Sequence, residues 1–357
     1  MTRSGGAALE RYVFDLSTTE CAEMPACEVV SAAVFASRGA LNKYPDHSAA
    51  RVRDLLATRH GLPADQFVLG NGSGNLLQSA APLLLSPGDE LVTPWPSYPL
   101  YPLMARRAGA RPVPVALDEG HVGVEALLAA VNERTRVLVI CNPNDPTGTY
   151  LDSHALAALL SRLPERVHVL LDEAIVHFQD REEEDACLRL VEEFPRLVVF
   201  RSFSNAYGLS GLRAGYAVGS PTAADLLDSL APVLGVNALT QAAVECALER
   251  GDSELARRRE MVIAQRQRVH DSLAELAVDA PQSEAHFVWM RVSGMTSLQL
   301  AAAFQRAGVI VFPGSALGDA EHVRVSLKSA LATDRLLDVL PEIAVGTGYV
   351  DLVESAA

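Results

Sequence analysis

The stretch that decides the fold reads Ser202-Phe203-Ser204-Asn205-Ala206-Tyr207-Gly208-Leu209-Ser210-Gly211-Leu212-Arg213-Ala214-Gly215-Tyr216, and it follows the apolar run at 197–200. Two hydroxyls and an arginine gathered near one strand end suit a phosphate dianion, which a guanidinium binds bidentately. Outward from this segment, between about residues 65 and 220, short β-rich runs alternate with helix-favouring stretches, the pattern of a doubly wound α/β domain. Strands are expected at 66–69, 90–93, 111–115, 137–140, 168–171, 197–200 and 214–218, with helices at 153–163 and 182–194 among the connections. Ligands of such sheets bind outside the carboxyl ends of the strands, so the residues after each strand are the candidates for chemistry. After about Pro232 a charged, helix-favouring run at 238–276 leads to strands at 287–291 and 322–327 around a helix at 298–307. This predicts a smaller α+β domain joined to the first by one long helix. Residues 1–40 have no evident home in either.

Three further strand ends carry distinctive turns. Gly70-Asn71-Gly72-Ser73-Gly74-Asn75 stands between a strand and the apolar helix that follows it. Its glycines would let backbone N–H groups approach an anion, and the helix N-terminus adds partial positive charge. A tight turn that needs glycine explains it equally well. It is not a dinucleotide fingerprint, because Asn75 takes the place of the third glycine, and no Gly-Lys-Ser/Thr follows. Asn142-Pro143-Asn144-Asp145-Pro146-Thr147-Gly148 and Asp172-Glu173-Ala174 follow two other strands; alone, each reads as readily as a turn or a helix cap.

Of 357 residues, 49% are apolar and 21% charged, enough to bury a sizeable core divided between two domains. The net charge of −14 repels phosphate polymers and anionic membrane surfaces, so neither nucleic acid nor membrane is an expected partner. No run approaches the roughly 18 to 20 apolar residues of a spanning helix, and the opening MTRSGGAALERYVF has no apolar signal core, which predicts a cytoplasmic protein. Five cysteines with no CxxC pair argue against a disulfide framework and a structural zinc site. Lysine occurs only at Lys43 and Lys328, although 30 residues are basic.

Taken together, these motifs resemble the fold-type I pyridoxal phosphate enzymes of the aminotransferase class I/II branch, most closely histidinol-phosphate aminotransferases, from Asn42 onward. The resemblance implies an aspartate aminotransferase-like α/β fold: a large domain with a seven-stranded mixed, mostly parallel sheet, plus a smaller α+β domain. It places a cofactor-binding domain at 41–235 and a second domain in 1–40 with 236–357. By position it implies that Gly72 and Ser73 cradle the cofactor phosphate together with Ser202, Ser204 and Arg213. Tyr98 would stack on the pyridine ring, and Asp172 would pair with the pyridine nitrogen, making the ring an electron sink. Tyr44 corresponds to the tyrosine that reaches the phosphate of a neighbouring subunit, which implies a homodimer. Arg324, in His322-Val323-Arg324-Val325-Ser326, matches the arginine that holds a substrate α-carboxylate; a structural ion pair is the alternative.

The departures from the family pattern are as informative. Where the pattern has Ser-x-Ser-Lys, with a lysine that forms a Schiff base and shuttles a proton, this chain has Asn205. An amide does neither at neutral pH, so standard transamination should be lost or very slow. Ile175 stands where the family has a phenol toward the cofactor 3-hydroxyl, and Asp145 where it has an asparagine; Gly74-Asn75 replaces Asp-Glu, and the segment 16–25 is unrecognisable. A laboratory substitution would alter one position, and decay would erode the phosphate cup as well. Losses that cluster around the places of the cofactor 3-hydroxyl and C4′, with the cup kept, favour a site rebuilt for another use. The expectation is an enzyme that binds pyridoxal or pyridoxamine phosphate non-covalently, or a similar phosphorylated ligand, and acts on an amino acid or a derivative. Asp145, Tyr207 and His177 are the candidate proton-transfer groups around Asn205; Lys43 and Lys328 are the only other amines, and neither occupies that strand end. A non-catalytic sensor or partner subunit, and a cofactor-free enzyme that binds its substrate in the cup, are the alternatives. Phe312 stands where histidinol-phosphate enzymes often carry arginine, which argues against that substrate.

Overall fold

A computed structural model describes residues 12–276 and 278–345. Residues 1–11, within the opening read above as free of a signal, and residues 346–357 of the second expected domain lie outside them. The seven expected strands form, as β1 (Phe67–Gly70), β2 (Glu90–Trp95), β3 (Arg111–Ala116), β4 (Thr135–Cys141), β5 (His168–Asp172), β6 (Leu197–Ser202) and β7 (Gly215–Gly219). They pair in the order β1-β7-β6-β5-β4-β2-β3, and β7 alone runs antiparallel to its neighbours. Each strand runs one or two residues further at its carboxyl end than apolar patterning indicates. There polar residues such as Asp172 and Ser202 continue the ladder.

Helices cover both faces of this sheet, so alternate residues of each strand enter different cores. Leu138, Ile140, Val169, Leu171, Leu197 and Val199 join one cluster; Val137, Val139, Leu170, Val198 and Phe200 join the other. Two-sided burial is why these strands read as continuous apolar runs. A four-stranded antiparallel sheet, centred on β8 (Phe287–Val292) and β9 (Val323–Ser326), packs with helix Ser297–Arg306 in a third cluster, and Phe312–Pro313 and Val278–Asp279 form its edges. The homeless N-terminal segment divides: Phe14–Asp15 pairs with Val309–Ile310 beside the small sheet, whereas Val29 of helix Cys27–Ala40 enters the first cluster of the large sheet.

Two helical expectations are corrected. The single helix at 238–276 is two, Ala238–Arg250 and Asp252–Leu273, broken at Gly251, where a Cβ would stand 2.4 Å from the Ala247 carbonyl oxygen. The helix at 182–194 is only a short 3-10 turn, Leu188–Glu192. Its acidic residues are drawn into tertiary bonds instead: Glu182 accepts from Ser153 N and Tyr150 Oη, and Asp185 accepts from Arg201 and contacts His60.

Arg201 is fully buried at the end of β6. Its Nε donates to Glu173 Oε2 at 2.8 Å, Nη1 to Asp185 Oδ1 at 2.6 Å and Nη2 to the Glu184 carbonyl at 2.7 Å. Burial pushes the Glu173 carboxyl up to about 7 despite this partner. Removing one member of such a pair strands the other in low dielectric. Arg201→Leu should therefore destabilise the protein by about 3–5 kcal/mol in denaturant unfolding; a loss below about 1 kcal/mol would refute a structural role for the pair.

Candidate active site

The carboxyl ends of β4, β5 and β6 and the turn after β1 converge on one cavity of about 350 Å³. Ser73, Tyr98, Asp145, Asp172, Ser202, Ser204, Asn205 and Arg213 all line it, so eight of the sequence candidates share one space.

One end brings a helix N-terminus, hydroxyls and a guanidinium together in an arrangement suited to an anion. Helix Ser73–Leu84 begins there, with Gly72 as its N-cap at φ +89°, and a Cβ on Gly72 would stand 2.8 Å from Arg213 Nη2. Gly215 is equally constrained, since a Cβ there would lie 2.3 Å from Ser73 N. The glycines therefore bring backbone and guanidinium together where a larger residue would hold them apart. Arg213 itself has φ +55°, a left-handed conformation that costs a non-glycine residue on the order of 1 kcal/mol and marks a position fixed by its surroundings. Its Nη1 donates to the Ser210 carbonyl at 2.8 Å and reaches Ser204 Oγ at 3.5 Å, and Ser202 Oγ accepts from Ser204 N.

At the β5 end, Asp172 is buried, and its Oδ2 accepts from Tyr101 Oη at 2.8 Å while Oδ1 accepts from Ala174 N. Burial raises the carboxyl to about 6, opposed by these hydrogen bonds and assisted by the nearby charge of Asp145. Tyr101 was not singled out in the sequence. Its i+3 spacing from Tyr98, at the start of helix Leu100–Arg107, is the signal that could have found it; the two rings meet edge to face, 5.9 Å apart. The loop after β4 is fixed from within by Asn142, which bonds both backbone polar groups of Leu151, and by Asn144, which bonds Ser97, Pro96 and Thr147. This leaves Asp145 facing the cavity, where its Oδ1 accepts from Arg324 Nη1 at 2.5 Å.

The sequence profile of the aminotransferase class I and II family matches residues 11–341. The chain belongs to this family. It is similar to the aromatic amino acid aminotransferase of Corynebacterium efficiens, 37% identical over 327 residues that span 90% of this chain and 91% of that one. Among solved structures, histidinol-phosphate aminotransferase from Sinorhizobium meliloti in complex with pyridoxal-5′-phosphate superposes with a TM-score of 0.82 at 27% identity, covering 96% of this chain and 95% of that one. A single mutant of Thermus thermophilus aspartate aminotransferase shares the fold, with a TM-score of 0.82 at 24% identity over 94% of each chain. The aspartate aminotransferase-like architecture expected from the sequence is thus the architecture found.

Against this aminotransferase frame, several candidates fall elsewhere. Tyr207 and His177 lie in the core and do not line the cavity: their rings stack edge to face 5.4 Å apart, and Tyr207 also packs on Phe203. Burial pushes the Tyr207 phenol up to about 12 and lowers His177. Position in sequence misled because the turn from Asn205 to Gly208, closed by Gly208 N donating to the Asn205 carbonyl, sends successive side chains to different sides. Tyr44 is 81% exposed on the surface, and Gly72 acts through backbone alone. Lys43 is exposed. Lys328 Nζ donates to Thr18 Oγ1 at 2.7 Å and lines a separate cavity of about 30 Å³, which also touches Asn205. Thr19 and Glu20 line the cavity of about 350 Å³, although nothing in the sequence of that segment announced them.

The raised carboxyl of Asp172 has a measurable consequence. A folded value near 6 against the usual 3.8 means the folded state holds its proton more tightly, so this contribution to stability is present below pH 4 and lost as pH rises through about 6. In dialysed protein, Asp172→Asn should be more stable than wild type by about 3 kcal/mol at pH 7, with the gap closing toward pH 4. Parallel denaturation curves at every pH would contradict the assignment.

Proposed function

We propose that this aminotransferase-family protein binds pyridoxal or pyridoxamine phosphate without a covalent bond, and acts on an amino acid or a derivative by a route other than standard transamination. The carrying observation is that one cavity joins a three-sided anion cradle to a deeply buried carboxylate. Ser73 N at a helix start, the hydroxyls of Ser202 and Ser204 and the Arg213 guanidinium fit a phosphate. The crowding of Gly72 and Gly215 is what such a cradle requires. Asp172, held by Tyr101, suits a ring N–H⁺, and Tyr98 offers an aromatic face. When bound, the cofactor supplies a reactive carbon and an electron-withdrawing ring. Asn205 occupies the place that the resemblance gives to the Schiff-base lysine, so it contributes a hydrogen-bonding amide and no nucleophile. Glu20 is the acidic side chain placed to move a proton, because Asp145 is held by Arg324. The boundaries 41–235 against 1–40 with 236–357, a cytoplasmic location and a homodimer in which exposed Tyr44 reaches the partner's phosphate belong to this reading. No described helix is long and apolar enough to cross a membrane.

A second reading has support of its own. Among the described residues, no lysine or histidine lines this cavity, which favours a protein that binds the same ligand without turnover, as a sensor or as partner to an active homologue. Both readings require the cofactor to bind. Pyridoxal or pyridoxamine phosphate at a hundredfold excess over Kd should stabilise the protein by about 2.7 kcal/mol, and Arg213→Gln should abolish the shift. No shift with either compound would overturn both readings. Turnover of an amine substrate, followed by mass spectrometry, separates them. Asn205→Lys should give a yellow protein that loses its colour on borohydride reduction; a folded but colourless variant would show that Ile175 and Asp145 have remodelled the ring site.

A further inference from the structure

Arg324, the residue that the resemblance assigns to a substrate carboxylate, already holds one from its own chain. Its Nη1 donates to Asp145 Oδ1 at 2.5 Å, and Nη2 donates to the Ser17 carbonyl at 3.2 Å. The guanidinium lies 4.9 Å from the centroid of the Phe312 ring and 5.4 Å from that of Phe287. The Arg324 and Asp145 side chains are 11% and 18% exposed, so the pair is largely withdrawn from water. Asp145 lines the cavity, and Arg324 is not among the lining residues. Among the described residues, three carboxylates, Glu20, Asp145 and Asp172, thus face the cavity with a single cation, Arg213, which stands at its anion-binding end.

We propose that Asp145 determines specificity in this pocket, and that the ligand is a primary amine with no free carboxylate on its amine-bearing carbon: an amino alcohol, an alkylamine, or an amide or ester of an amino acid. The inference rests on the cofactor-site reading above and narrows it. A carboxylate can reach Arg324 only by displacing Asp145 from a shielded ion pair or by sharing its cation. Displacement leaves the Asp145 carboxylate unpaired in low dielectric, and sharing sets a second anion beside it in a cavity that Glu20 and Asp172 already make acidic. A hydroxyl or amide N–H meets no such barrier. An ionised carboxylate accepts at about four lone-pair positions, so Asp145 can receive that hydrogen bond while keeping its bond to Arg324. Asparagine at this position would leave Arg324 its full charge for a substrate; aspartate cancels it.

Two reduced adducts that differ only in the carboxylate test this directly: N-phosphopyridoxyl-L-alanine and N-phosphopyridoxyl-ethylamine, titrated calorimetrically into the intact protein. Wild type should bind the ethylamine adduct about tenfold or more tighter, a difference of about 1.4 kcal/mol. The near-isosteric Asp145→Asn should reverse the preference by strengthening the alanine adduct. Equal or tighter binding of the alanine adduct by wild type overturns the proposal, and this comparison needs no variant. A wild-type preference that Asp145→Asn leaves unchanged overturns the assignment to Asp145. Binding of neither adduct overturns the cofactor-site reading, and this proposal with it.

Discussion

The site depends on an ion pair that does not touch it. Arg201 precedes Ser202 at the end of β6, and Glu173 follows Asp172 at the end of β5; the two side chains meet at 2.8 Å, with the guanidinium wholly buried. Glu173 N also donates to the Phe200 carbonyl, so backbone and side chain together fix the register of the two strand ends. Their neighbours Asp172 and Ser202 both line the cavity. The distance from the buried carboxylate to the anion cradle is therefore set behind the sheet, by an interaction whose loss would strand a charge in the core. Asp185 and the Glu184 carbonyl complete the shell around Arg201, which is why that acidic segment gives up the helix its sequence favours.

The second constraint is the N-terminal strap. Ser17, Thr18 and Thr19 are held in turn by Arg324 Nη2, Lys328 Nζ and His286 Nε2, and Met24 by Arg258, which also bonds the Ala206 carbonyl beside Asn205. The strap thereby carries Thr19 and Glu20 to the cavity wall. One of the chain's two lysines is spent on this anchoring, and the other lies exposed on the surface. Neither lines the candidate-site cavity, so the scarcity of lysine seen in the composition is also a scarcity there.

The large sheet was legible because two-sided burial writes each strand as an apolar run, and because ligand-facing residues follow those runs. The motif-borne residues, from Ser73 to Arg213, come together for that reason. What periodicity could not show was the direction of side chains within irregular turns, hence the misplacing of Tyr207 and His177. Nor could it show competition from tertiary bonds, hence the false helix at 182–194; the break in 238–276 instead follows from Gly251, whose backbone packs against the Ala247 carbonyl. The strap was illegible for a third reason: its position is dictated by partners almost 270 to 310 residues away in sequence, so no local pattern announces it.

The departures from the family pattern also acquire a common geometry. Asp145 and Phe312 surround the same guanidinium, one by an ion pair and the other by its ring face. Asn205 and Ile175 line the same cavity as Asp145. A single engineered exchange at Asn205 would leave Asp145, Ile175 and Phe312 unaccounted for. Drift without constraint would have no reason to give a shielded arginine a matched carboxylate, because an unpaired buried charge is costly and a mismatched one more so. The ligand proposed above would account for all of them together. With the cradle and Asp172 kept, one end of such a ligand would stay the same; with Arg324 paired from within by Asp145, the other end would have no need of a negative charge.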